Sequence, residues 1–98
     1  MCEMRRMGRW MYTIDERILE HLAEESWASP TTMASTSEFQ QLDADKKYIK
    51  QRCDCLMERE LIAPLIKNEA MYEITRWGLA YLRGDLDASY LPKWSPTI

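Results

Sequence analysis

"DADKKYIKQRCDCLMERE" (residues 43–60), running into "LIAPLIKNEAMYEIT" (61–75), is the stretch on which the fold turns. Its first part has helical spacing. At about 100° per residue, Ile49, Cys53, Leu56 and Met57 fall within one arc. The opposite arc holds Lys47, Lys50, Gln51 and Asp54, with Tyr48 on its shoulder. Asp43 or its neighbour is placed to cap the helix, which is predicted to run to about Arg59. In the second part, Leu61–Ile66 is apolar and β-prone apart from Pro64. Lys67, Asn68 and Glu69 supply turn chemistry, and Met71 to Ile74 alternate again. That pattern predicts a β-hairpin. Pro64 cannot donate to a ladder, so it belongs at an edge or a bulge.

The same stretch suggests two incompatible chemistries. Lys46, Lys47, Lys50 and Arg52 suggest a helix that meets nucleic acid, while Cys53 and Cys55 suggest metal or redox chemistry. Helix neighbours share a face at spacings of three or four, not two. Cys53 therefore falls in the apolar arc as a small hydrophobe and Cys55 points elsewhere. No second Cys/His pair completes a zinc set. The expectation is no metal and no cofactor.

Outward from this centre the chain reads as helices. "TIDERILEHLAEE" has a capping-box pattern at Thr13 and Glu16. Ile14, Ile18, Leu19 and Leu22 give it an apolar face opposite an acidic one, predicting a first helix over 13–25. Ser29 before Pro30 is a start signal for a short second helix containing Met33 and Ala34. The Ser/Thr content of 35–37 predicts an irregular connection over 35–42. The stretch at 43–60 is then the third helix. After the hairpin, Thr75 caps a last helix with Leu79, Leu82 and Leu86 at helical spacing, weakened or split at Gly84. Two prolines make the tail 92–98 extended.

The 98 residues, 46% hydrophobic and 30% charged, describe one soluble globular domain. Its parts are an arm (1–12), a core with the last helix (13–91) and the tail. No apolar run approaches the ~18 residues of a membrane span. The start has basic residues but no apolar region behind them, so no secretory signal is read there. Three cysteines without an export signal suggest reduced thiols and a cytoplasmic protein. The net charge of −3 is unevenly spread: residues 1–12 carry three arginines against one glutamate, and 13–29 one arginine against five acids. The stretch 43–60 balances five against five, so only its facing can make it basic.

The order helix, helix, helix, hairpin, helix is the layout of a winged helix-turn-helix: mainly α (α+β), with a three-helix core, a hairpin wing and a C-terminal helix. The chain resembles the haloarchaeal phage phi-H repressor-like winged-helix family. The resemblance is carried by "RRMGRWM", "DERILEHL", "SP", "RC..L.E..LI..L" and "YEIT..G.AYL.GDLDA", which together span residues 5 to 88. It implies a DNA-binding transcriptional regulator, a repressor by its relatives, with the third helix as reader. The chain departs from the family's usual pattern in three places. Asp43, Asp45, Lys46 and Lys47 replace a Ser/Arg-rich helix start, Glu60 stands where the family has Gly, and Asn68 is followed by Glu69 instead of Gly.

On this reading Lys46, Lys47, Tyr48, Lys50 and Gln51 face DNA. Lys pairs with guanine acceptors or phosphates and Gln with adenine. Arg5, Arg6 and Arg9 in the arm and Lys67 in the wing are candidates for backbone contacts; a solubilising tail is the plain alternative for the arm. A solvated charged face is the plain alternative for the third helix, with Asp43, Asp45 and Asp54 opposing phosphate. Four tryptophans, with Tyr81 and Tyr90, exceed what a small core readily absorbs. Most are expected inside, with a remaining stripe of Trp10, Tyr81 and Leu82 making a homodimer. His21 is the only histidine and lacks any recognisable catalytic partner, so no enzymatic activity and no small-molecule ligand are expected. The alternative function is a protein–protein interaction module that has lost DNA binding.

Overall fold

The structure, a computed structural model, describes residues 10–65 and 71–86. Helix α1 (Thr13–Glu25) buries Ile14, Ile18, Leu19 and Leu22, as their spacing requires. Its cap lies one residue earlier than Thr13. Tyr12 is the N-cap, and Asp15, not Glu16, reaches back to accept from the Tyr12 N–H at 2.8 Å. Asp15 is also fully buried, so the acidic side of this helix is narrower than its sequence suggests.

Helix α2 (Pro30–Ala34) starts where Ser29 Oγ accepts from the Thr32 N–H at 3.1 Å. The segment expected to be irregular instead contains a further short helix, α3 (Ser37–Gln41). The Ser/Thr chemistry that ends α2 also starts α3. Thr36 is its N-cap, with the hydroxyl facing the Phe39 N–H at 3.4 Å, and Phe39 is driven fully into the core. The helix read as third from the sequence is thus α4 (Lys46–Glu58), capped by Asp45 Oδ1 at 2.8 Å from the Tyr48 N–H. Ile49, Cys53 and Leu56 form its buried face against α1 and α2.

Two non-glycine residues in left-handed conformation bracket α4. Asp43 (φ 56°) follows α3, and Glu60 (φ 63°) follows α4. Each sits in a Schellman turn. After α4, the Glu60 N–H donates to the Met57 carbonyl at 3.0 Å and the Leu61 N–H to the Leu56 carbonyl at 3.1 Å. After α3, Asp43 and Ala44 donate to Gln40 and Phe39 in the same way, both at 3.1 Å. Glu60 is the position where glycine is usual in the family the sequence resembles. The backbone keeps the glycine conformation without the glycine.

Strands β1 (Ile62–Pro64) and β2 (Tyr72–Ile74) pair antiparallel, Ile62 opposite Ile74 and Pro64 opposite Tyr72. Ala28 bridges the other side of β2, exchanging bonds of 3.1 and 2.9 Å with Tyr72. This leaves β1 as an edge strand with Pro64 at its end, as a residue without an N–H requires. The expected turn at 67–69 lies outside the described residues, as do the arm through Arg9 and the tail.

Helix α5 (Arg76–Leu82) is capped by Thr75, whose Oγ1 accepts from the Gly78 N–H at 3.2 Å. The same hydroxyl is 2.6 Å from the Glu60 carbonyl, tying α5 to the end of α4. The inner face of α5 is Gly78 and Tyr81, not Leu79, which is exposed. Gly78 is required by contact: a Cβ there would stand 2.5 Å from both the Leu61 carbonyl and Ile74. The helix is over before Gly84, which takes φ 84°. Together the elements form a winged helix: a helical core with a two-stranded wing.

Two substitutions test these backbone assignments. Glu60→Gly is expected to stabilise the fold by up to about 1 kcal/mol by relieving the left-handed strain. Gly78→Ala is expected to destabilise it by about 1–3 kcal/mol through overpacking. Urea denaturation of both variants beside the parent reads the two signs directly.

Candidate nucleic-acid interface

The outward face of α4 follows from what its other face must do. Ile49, Cys53 and Leu56 are fully buried, and this turns Lys47, Gln51 and Asp54 to solvent and leaves Lys50 half-exposed. Lys46 and Tyr48 are exposed at the start of the helix. An open depression of about 490 Å³ runs along this face, lined by Asp45, Lys46, Lys47, Lys50 and Gln51. The five helix residues expected to meet DNA are therefore accessible, four of them around one hollow. Arg5, Arg6, Arg9 and Lys67 lie outside the described residues.

Local pairing changes the electrostatics of that face. Lys50 Nζ lies 2.8 Å from Asp54 Oδ1, one turn along. The Asp54 carboxylate is the main cause of a raised Lys50 pKa, assisted by the Tyr72 hydroxyl from β2, so the ammonium stays charged. Asp45 has a separate task at the N-terminus of α4, where a carboxylate both caps and complements the helix dipole.

Arg52 does not join the outward face. Its Nε and a terminal nitrogen each reach the Asp15 carboxylate at 2.8 Å, a two-point grip, and that nitrogen also donates to the Trp10 carbonyl at 3.0 Å. Its guanidinium lies 4.8 Å from the Tyr12 ring centroid, and Arg59 lies 4.2 Å from that of Trp10. Hydrogen bonding to Asp15 raises the Arg52 pKa further. Arg52, which helps to suggest a nucleic-acid helix in the stretch 43–60 but is left out of its outward arc, is held inside the fold. A signal for this was present in the sequence: at about 100° per residue Asp15 falls between Leu22 and Leu19 in the apolar arc of α1. A buried acid needs a base, and Arg52 and Arg59, seven apart, share the shoulder of α4 beside Leu56.

The aromatic expectation also needs correction. Tyr81 is fully buried, with its hydroxyl donating to Glu16 Oε2 at 2.8 Å, which places it inside the monomer instead of on a contact stripe. Trp10 and Leu82 are half-buried against the core. Trp27 and Trp77, two of the aromatics of which most were expected inside, are 55% and 52% exposed.

Cys53 behaves as the spacing predicts: burial pushes its thiol up to about 12. Among the described residues no group of three or more His, Cys, Asp or Glu side chains is arranged to hold a metal. His21 packs edge-on against Phe39, ring centroids 5.9 Å apart. No described helix is long and apolar enough to cross a membrane.

Comparison with known proteins bears on this surface. The sequence matches the profile described as winged helix-turn-helix phage repressor over residues 4–93. Among solved structures it is similar to the PhiH1 repressor-like protein from Haloarcula marismortui, at 34% identity and a TM-score of 0.82. That alignment covers 93% of this chain and 98% of the other. No curated protein matches the chain.

Arg52→Ala should destabilise the fold by about 3–5 kcal/mol, because it leaves the buried Asp15 without its partner; thermal unfolding followed by circular dichroism measures this. Cys53 gives a pH test. Its folded pKa is raised above the unfolded value, so its contribution is complete below about pH 9 and is lost as pH rises toward about 12. Urea stability should therefore fall between pH 8 and 10.5 by more in the parent than in Cys53→Ala, where this titration is absent.

Proposed function

Because the chain belongs to the winged helix-turn-helix phage repressor family, whose members are DNA-binding regulators and not enzymes, we propose that it is a transcriptional repressor that lays α4 in the major groove. The observation that carries this reading is the outward arc of α4, where Lys47, Lys50 and Gln51 stand together while Arg52 is held inside. Gln51 suits the paired acceptor and donor of adenine, and Lys47 and Lys50 suit guanine or phosphate oxygens. Lys46 and Tyr48, at the start of the helix, are placed for backbone contacts. Arg5, Arg6 and Arg9 of the arm, with Lys67 of the wing, add sequence-independent phosphate contacts that fix register. The protein acts in the cytoplasm, without a cofactor.

A two-fold homodimer belongs to the same reading, since it presents two copies of α4 to successive half-sites. With Tyr81 in the core, the contact falls to Trp10 and Leu82 together with Leu79, which shares a face of α5 with Leu82 and is exposed.

The test is titration of labelled duplex at two salt concentrations. Affinity should fall steeply with salt, by a slope of about −0.9 per phosphate neutralised. Lys47→Ala and Lys50→Ala should each weaken binding; where the lost contact is to phosphate, the slope drops by about one. Selection from a random pool identifies the preferred sequence. Absence of binding, or binding insensitive to salt, overturns the reading.

A second reading is favoured by one observation, the half-exposed Trp27 and Trp77. Those rings suit a protein partner, and the chain is then an interaction module that has given up DNA. Capture of a partner that depends on Trp27 or Trp77, with no duplex bound by the same preparation, would establish it.

A further inference from the structure

Capping α4 uses only one of the two oxygens of Asp45. Oδ1 accepts from the Tyr48 N–H at 2.8 Å, whereas Oδ2 has no hydrogen-bond partner among the described residues. The side chain is exposed and stands at the N-terminal end of the hollow that Lys46, Lys47, Lys50 and Gln51 line with it. Asp54, the other acid of this face, is already engaged by Lys50. A cap alone does not call for a charge, since Asn and Ser satisfy the same backbone N–H about equally well. A reading helix meets base edges with its N-terminal residues. An ionised carboxylate there only accepts hydrogen bonds, so phosphate, guanine O6 and N7 and thymine O4 all repel it. The major-groove group of complementary chemistry is an exocyclic amine, and cytosine N4 is the partner that suits an acidic side chain.

We propose that Asp45 is a specificity-determining residue: its free Oδ2 accepts from the N4 amine of a cytosine at one fixed position of the bound duplex, beside the bases met by Lys47, Lys50 and Gln51. This rests on the DNA-binding reading of α4 and deepens it. No contact within the protein is given up, because Oδ1 stays on the Tyr48 N–H and Oδ2 only exchanges water for the amine. The gain therefore falls on the preferred sequence. The cap also fixes the carboxylate on the helix, so the acceptor keeps one orientation relative to Gln51. Where guanine or thymine takes that place, acceptor meets acceptor and the carboxylate loses water without replacement. Adenine, whose amine lies beside an acceptor nitrogen, ranks between.

The experiment measures binding of the parent chain, Asp45→Asn, Asp45→Ser and Asp43→Asn to a duplex selected with the parent and to all its single-base-pair variants. Urea denaturation of the same preparations checks that each is folded. The selected duplex should hold a cytosine at one position where change to guanine or thymine weakens the parent roughly 5- to 100-fold, the scale of one lost base contact. Asn and Ser keep the cap and can both donate and accept. Asp45→Asn and Asp45→Ser should therefore bring that ratio close to one and leave the preferences at other positions in place. Asp43→Asn removes a charge from the turn before α4, at a residue that does not line the hollow, and should change affinity for all the duplexes alike. A selected duplex with no cytosine sensitive to Asp45, an effect of Asp45→Asn that is nil or equal across all duplexes, or the same loss of preference in Asp43→Asn overturns the proposal while leaving DNA binding intact. Failure of the parent to bind any duplex overturns both readings.

Discussion

The Asp15–Arg52 pair is the constraint on which the arrangement of the other parts depends. Asp15 is fully buried in the first turn of α1, and Arg52 grips both its oxygens from the middle of α4. A buried ion pair is weak evidence of net stability, since desolvation offsets most of its attraction. Its consequence here is geometric. The fork of the guanidinium fits a carboxylate in one orientation, and the remaining acceptors and donors are matched by the Tyr12 N–H and the Trp10 carbonyl. α4 is thereby fixed in rotation about its own axis. A slip of one residue would carry Gln51 toward Asp15 and out of the outward face. The orientation of the proposed reading face is set from within the core.

The fold was largely legible because its signals are local. Apolar spacing located α1 and α4, Ser29 and Thr75 marked helix starts, and alternation on either side of Asn68 marked the hairpin. What escaped was nonlocal or depended on competing uses of one side chain. Thr36 reads as a helix breaker when considered with α2 and as a cap when considered with Phe39. Asp15 reads as part of a solvated acidic face until Arg52, 37 residues away, is brought against it. Leu79 and Tyr81 show the same limit. Helical spacing prefers the leucine as the inner residue, but a phenol that can reach Glu16 fills the space beside Gly78 better.

The outward lysines of α4 were legible for the reason Arg52 was not. Position on the arc opposite Ile49 and Cys53 decides exposure for Lys47 and Gln51 whatever the neighbours do. A residue on the shoulder of the arc is decided by its neighbours, and both Arg52 and Arg59 lie on that shoulder. They draw Trp10 and Tyr12 onto α4, so the chain enters the domain alongside the helix proposed to read DNA.

An acidic protein that binds DNA must keep its acids away from the phosphates or occupied. α1 and α4 pack through their apolar arcs, so their polar faces point apart. Glu20, Glu24 and Glu38 gather around His21 on the α1 side, away from the outward lysines. The acids near the reading face each have a partner or a backbone task. Asp45 caps α4, Asp54 holds Lys50 and Asp43 occupies the turn before the helix. A net charge of −3 distributed in this way gives the domain a charge asymmetry instead of a uniform repulsion. On the proposed reading, this asymmetry orients the protein toward a polyanion, with the α4 face toward the duplex and the α1 face away. The acidity that argues against DNA binding when summed over the chain favours one approach direction when resolved by face.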